Sequence, residues 1–355
     1  MTDQLAAAPS TSAGSLRSRR RQLIPMLEIV LFAAFAVAPI MLENYLTIFA
    51  TRVLILALLA LSFDLIWGYS GIMSFGQALF FGAAGYGVAL VARDLGVASI
   101  FVVLPAALAV GLVLSLALGA FLLLGRHPPT MIFIALGTLT GSYVADRLAR
   151  AWYYLGGQNG IPSIPPMTAG SYEFAEGRVY YYLAFSALAI VYLVCRFVVR
   201  SQFGLALAGA RDRETRILFF GYQAQRLKLT VFSLSGAIAG LAGGLYAFHD
   251  GFVGPHMVGV VLSTQIVLYA LLGGVGTLIG PVIGVVATEI AGFWLADSFP
   301  EIWPIILGLL LLVVALFWPT GLIGLVVSEQ ERIGSFGRPS LPTRHVDSGG
   351  DNGAA

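Results

Sequence analysis

Four ionisable residues stand inside apolar stretches of this chain: Arg52, Asp64, Asp146 and Glu289. In hydrocarbon each costs roughly 2.5–3.5 kcal/mol at a helix centre on insertion scales, so each needs a partner or a task. Arg52 and Asp64 are 12 residues apart, about 18 Å along one helix, too far to neutralise each other. Each therefore pairs across helices or lines a polar pathway, and Glu289 poses the same choice. Asp146 sits beside Arg147 near the end of its stretch, where side chains snorkel to the interface. His249 and Asp250 read as a solvated pair at another such end. None of these groups falls in a catalytic pattern: there is no HExxH, no paired carboxylates and no nucleophile with its base. The single lysine, Lys228, lies between Leu227 and Leu229, so the Gly-Lys-Ser/Thr loop that cradles nucleotide phosphates is missing. Cys195 is the one cysteine, which excludes an intramolecular disulfide and a cysteine-based metal site. The expectation is a chain with no catalytic or metal site and no bound cofactor.

The elements that position these residues follow from hydropathy. Hydrophobic residues make up 58% of the 355, charged residues 11%, and the mean hydropathy is +0.87. A soluble domain of this length has no use for so much apolar surface. The net charge of +2 is spread over loops, so nucleic acid is not an expected partner. Apolar windows at 24–42, 48–67, 72–92, 99–124, 131–149, 179–199, 229–248, 258–274, 279–296 and 302–320 predict an all-α, polytopic transmembrane bundle of about ten spans in membrane lipid. With both termini inside, cytoplasmic segments receive 15 of the 20 Lys+Arg, the other five being Arg52, Arg93, Arg147, Arg150 and Arg178, as the positive-inside rule requires. Residues 1–22, ending in Arg17, Arg19, Arg20 and Arg21, read as a disordered cytoplasmic tail before a retained first helix, not as a cleaved signal. Residues 23–327 form the membrane domain, and 328–355 a second disordered cytoplasmic tail.

Three segments break the pattern. Two glycine-rich passages, Gly68–Gly87 and Gly273–Gly284, contain Gly68, Gly71, Ser74, Gly76 and Gln77 in the first, and Gly273, Gly274, Gly276, Gly280 and Pro281 in the second. They serve either close helix packing or a broken helix whose backbone faces a translocation pathway, with Pro281 marking a break or kink. The outward loop 150–178 holds Gly157, Asn159 and Gly160 in a Gly- and Pro-rich run that predicts turns and extended chain, as a connector or as a surface for a partner or solute. The third segment is the basic loop 200–228. Its alternating Arg211, Asp212, Arg213, Glu214 and Arg216 precede an apolar run, Ile217–Phe220. Such a segment docks on a cytoplasmic partner or lies on the inner leaflet.

Six passages in register, GYSGIMSFGQALFFGAAGYG, GGQNGIPSIPP, FGLALAGARDRETRILFFGY, LSGAIAGLAGGLYA, LLGGVGTLIGPVIG and FWPTGLIGL, resemble the signatures of LivM-type permeases, the membrane subunits of ABC importers for branched-chain amino acids and related small polar solutes. The resemblance covers about residues 60–325. It implies a bacterial inner-membrane location and an ATP-driven importer. Its partners would be a LivH-like second permease, two ATPase subunits that use the ATP, and an extracytoplasmic solute-binding protein. It also implies that the basic loop carries a coupling helix for the ATPase, matched here at Gly204, Ala210, Arg211, Glu214 and Gly221, with Ile217 and Phe220 as apolar anchors. The chain departs from the family at Leu218, Phe219 and Phe220, where small residues are usual, and at Gly209, where a basic one is. The rival expectation is an ion-coupled carrier or channel that uses Asp64 or Glu289.

Overall fold

The computed structural model describes residues 11–125, 130–174, 176–298, 303–317 and 321–325. In chain order the helices are α1 (Thr11–Met41), α2 (Asn44–Ser70), α3 (Gln77–Leu95), α4 (Ile100–Leu123) and α5 (Met131–Ala151). A hairpin of β1 (Met167–Ala169) and β2 (Tyr172–Phe174) precedes α6 (Arg178–Arg200), α7 (Gln202–Asp212), α8 (Glu214–Phe219), α9 (Ala224–Asp250), α10 (Val260–Gly273), α11 (Ile279–Ser298) and α12 (Trp303–Phe317). Each of the ten apolar windows carries one helix, and the basic loop carries the remaining two. Helices α2, α3, α4, α6 and α9 are long and apolar enough to cross a membrane, and shorter apolar runs occupy Pro25–Met41, α10 and Ile279–Leu295. The protein is an all-α polytopic bundle.

Helix α9 is the hub. It packs most extensively on α4 and α3, then on α2, and nearly all its residues from Val231 to His249 are buried. Glycine makes this possible. Gly236, Gly240 and Gly244 line one stripe of α9 at four-residue spacing and face Ala107, Gly111 and Ser115 of α4. A Cβ on Gly240 would stand 2.8 Å from the Gly111 Cα. Small residues let the backbones touch, and dispersion then replaces the missing hydrophobic drive between helices in lipid.

Three expectations need correction. Helix α1 starts at Thr11, so the stretch read as a disordered tail over 1–22 is helical from that point. Ala, Leu, Arg and Gln are good helix formers, and a helix nucleated by the apolar run propagates backward at little cost. The rest of that tail, residues 1–10, and the tail 328–355 lie outside the described residues. Helix α3 starts at Gln77, five residues into its window, because Gly71–Gly76 is not helical. His249 is not solvated: it is 4% exposed and stacks on Tyr180 with ring centroids 5.6 Å apart.

Candidate translocation and coupling sites

Helix α2 ends at Gly71, whose φ of +75° makes it a left-handed cap donating its N–H to the Trp67 carbonyl. The next five residues run back into the bundle as non-helical chain. Their depth is fixed by Gln77, whose side chain accepts from the Ser62 hydroxyl (3.2 Å) and donates to the Ser235 hydroxyl (3.0 Å). Ser62 lies eight residues before Ser70, about 12 Å up the helix, so α3 begins well inside the membrane layer. Backbone groups exposed by such a break must be satisfied by protein. The Phe75 N–H donates to the Thr138 hydroxyl at 3.0 Å, and its carbonyl accepts from Ser142 (2.9 Å) and Ser263 (2.7 Å). Ser74 accepts from the Gly76 N–H. The first glycine-rich passage is therefore a broken helix whose polar groups are tied to α5 and α10.

The second passage is a five-residue loop, 274–278, between α10 and α11. Asp64 holds it from α2, accepting from the Gly276 N–H at 2.6 Å and from the Leu278 N–H at 3.0 Å. Leu278 has a φ of 58°, a conformation that costs a branched residue and persists only when its surroundings impose it; the Asp64 bond is part of that imposition. Thr277 accepts from the Gly280 N–H and caps α11. Pro281 falls in the first turn of α11, where a missing N–H costs nothing; it marks a helix start, not a kink. Gly273 and Gly280 meet backbone to backbone across the loop. Gly276 abuts Gly68, where a Cβ would stand 2.7 Å from the Gly276 Cα.

Gly68 also joins this loop to the basic segment. Its carbonyl, one of the orphan acceptors at the end of α2, accepts from the Arg211 guanidinium of α7. A cation at that end also complements the helix dipole. The predicted coupling residues thus divide. Arg211 points into the bundle. Glu214 pairs with Lys228 of α9. Ile217, 9% exposed, packs on Ala210 and Ala224 and pins α8 to its neighbours. Gly209 is where α8 folds back, since a Cβ there would stand 2.6 Å from the Ile217 Cδ1. Gly204 makes the tight turn against the Val199 carbonyl, and Gly221 takes φ +82°. What faces outward is Phe219 (91% exposed), Phe220 (78%) and Leu218, with Asp212, Arg213 and Arg216.

At the opposite end, the 152–177 loop is docked on its neighbours. Ile161 pairs with Val253, the Ile164 N–H donates to the Gly251 carbonyl, and Thr168 bonds Ala98. Gly160, at φ +68°, lies against the Val253 carbonyl, while Gly157 and Asn159 form a 3₁₀ turn.

Near this end opens a cleft of about 430 Å³, lined by residues of α2, α3, α5, α9, α10 and α11 and by His256. Of the sequence candidates, Arg52, Asp146 and Glu289 line it, and none of the Gly-rich residues does. Those build the floor of the bundle; Asp64 and Gln77 are 0% and 1% exposed. Removal from water pushes His256 below the ordinary histidine pKa, so this imidazole adds no positive charge at neutral pH. Sequence reasoning missed Tyr246, Gln265 and Tyr269 in this cleft. The available signal was depth counted along the helices: Tyr269, nine residues into α10, lies level with Arg52, eight residues into α2, whereas Tyr246 and Gln265 lie nearer the helix ends and carried no such signal.

The family model for the permease component of branched-chain amino acid transport systems matches residues 45–315. The chain belongs to this family. This permease is 27% identical over 319 residues to the high-affinity branched-chain amino acid transport system permease protein LivM of Escherichia coli K12, covering 83% of the chain and 74% of the relative. It is 27% identical to LivM of Salmonella typhimurium LT2 over 77% of the chain and 69% of that protein. To BraD of Pseudomonas aeruginosa PAO1 it is 24% identical over 76% of the chain and 91% of that protein. No solved structure matches the chain. As a permease component it is a transporter part and not an enzyme, and its apolar helices make it a multi-pass membrane protein.

Proposed function

We infer that this chain is the permease subunit of an ATP-driven importer that moves branched-chain amino acids, or a related small polar solute, across the bacterial inner membrane. Both termini and the α7–α8 end face the cytoplasm, and the 152–177 end faces the solute-binding protein. Without a phosphate-binding loop of its own, the permease takes its energy from two separate ATPase subunits and works beside a second, LivH-like permease. ATP would bind those partners and not this chain.

The observation that carries this reading is the α7–α8 segment. It presents three large apolar side chains among charges, the composition of an interface core with a polar rim, while Arg211 fastens its other side to α2. Leu218, Phe219 and Phe220 would enter a groove of the ATPase. A shift of the segment would travel through Arg211 and Gly68 to the 274–278 loop, and so to α10 and α11. The Asp64 carboxylate, whose two oxygens hold two backbone N–H groups, is a loop clamp and a poor coupling-ion site.

The test is reconstitution with the partner subunits in proteoliposomes. Solute uptake is expected to require ATP and the ATPase subunits and to survive collapse of proton and sodium gradients. Uptake that persists without the ATPases and vanishes with an ion gradient would establish the carrier reading instead.

A further inference from the structure

The cleft between α2, α5, α10 and α11 has a charge arrangement that selects a class of solute. Arg52 lies eight residues into α2, Glu289 nine residues before the end of α11, and Tyr269 nine residues into α10. At 1.5 Å per residue all three lie about 12–14 Å below the same end of the bundle. Arg52 is exposed into the cleft. Among the described residues no hydrogen bond or contact ion pair engages its guanidinium fork. It lies over the ring of Tyr246, 6.0 Å from the guanidinium carbon to the centroid, with the Glu289 and Asp250 carboxylates within electrostatic reach but not in contact. Glu289 receives the Tyr269 hydroxyl on one oxygen at 2.5 Å and leaves the other for a second donor. The remaining charges, Asp146 and Arg150 at the rim, already satisfy each other at 2.9 Å.

We propose that this cleft is a binding site for a zwitterionic α-amino acid on its way through the permease, with the carboxylate on Arg52, the ammonium on Glu289 and the side chain on the apolar wall. That wall is formed by Leu56, Phe81, Met257 and Leu262.

Three features favour a zwitterion over other small solutes. A guanidinium at membrane depth whose donors meet no contact acceptor favours an anion in that place, and a carboxylate meets its fork with two charge-assisted bonds. The lining holds two guanidinium and two carboxylate groups, so a solute of net charge zero leaves the site balanced, whereas a pure anion or cation does not. A neutral amide such as urea keeps that balance but offers no charged group to either the Arg52 fork or the free Glu289 oxygen. The volume is within the roughly 300–1,000 Å³ of small-molecule sites.

The proposal rests on the importer reading and is tested separately from it. The complete complex in nanodiscs, without the solute-binding protein, is treated with phenylglyoxal, and modification of Arg52 is followed by mass spectrometry. Leucine should slow it. 3-Methylbutylamine, which lacks the carboxylate, should not, and 4-methylpentanoate, which lacks the ammonium, should protect at concentrations about tenfold higher than leucine. In the full system, Arg52→Gln should lower ATP-driven leucine uptake about tenfold or more, with Arg52→Lys retaining part of it.

Equal protection by leucine and the amine, or no protection by leucine, overturns the proposal, as does uptake by an assembled Arg52→Gln complex at the wild-type rate. If Arg52→Gln fails to assemble, the labelling of the wild-type complex decides. Leucine protection without ATP-driven uptake supports the cleft and removes the importer reading. Uptake with neither protection nor an Arg52→Gln effect keeps the importer and removes the cleft.

Discussion

Asp64 and Arg52 illustrate how one helix can carry two charges inside its span, one buried and one facing a cleft, with unrelated work. The Asp64 carboxylate replaces water for two N–H groups of a strained loop, so its removal should be felt as stability. Asp64→Ala is expected to cost about 1–3 kcal/mol for each N–H left without an acceptor, and Asp64→Asn, which keeps one oxygen, about half of that. Thermal unfolding of the detergent-purified protein measures both. A fully stable Asp64→Ala protein with abolished transport would mean that Asp64 serves the pathway. The sequence placed both residues inside a span and showed that they could not pair, because the arithmetic of one helix suffices for that. It could not distinguish them further. The loop that Asp64 clamps is more than 200 residues away in the chain, and the cleft facing Arg52 exists only when six helices meet.

Among the elements, the ten helices were legible because a bilayer demands about 20 apolar residues per crossing, a constraint that acts locally. The helix breaks were legible as glycine and proline, yet not their purpose: Pro281 opens a helix, and the Gly71–Gly76 break is stabilised by hydroxyls on α5 and α10 that no local pattern announces. The α4–α9 seam is the clearest case of a signal present but unread, since Gly236, Gly240 and Gly244 recur at four-residue spacing. Adding one methyl group there should act on the whole bundle. Gly240→Ala places a Cβ 2.8 Å from the Gly111 Cα and against the Ala107 carbonyl, and neither backbone can move alone. It is expected to destabilise the permease by about 1–3 kcal/mol through overpacking. Gly87→Ala, whose Cβ would meet Val110 at an ordinary 3.4 Å, should be neutral or slightly stabilising. Equal unfolding temperatures for the two variants would dissolve the seam as a source of stability.

For the molecule as a whole, the two faces of the α7–α8 segment predict separable defects. The outward face holds Phe219 and Phe220, whose burial in a partner would supply roughly 1.5–3 kcal/mol each, with large aromatics typically dominating such interfaces. The inward face holds Arg211 on the Gly68 carbonyl. From the sequence, Arg211 and Glu214 read as charges and Ile217 and Phe220 as apolar anchors of one docking surface, because a loop of mixed charge does not reveal that a six-residue helix folds back against Gly209 and turns some of its groups inward. The double substitution Phe219→Ala, Phe220→Ala should therefore weaken co-purification with the ATPase about tenfold or more while the permease itself unfolds at its usual temperature. Arg211→Ala should do the reverse. Docking persists because the apolar face is intact, but the tie to α2 is gone, so ATP is hydrolysed with less solute moved per ATP. Pull-down yield and the ratio of uptake to phosphate release are the two measurements. If Arg211→Ala abolished co-purification as thoroughly as the double substitution, the segment would be a single docking surface, and the route from the ATPase to the 274–278 loop would have to run elsewhere.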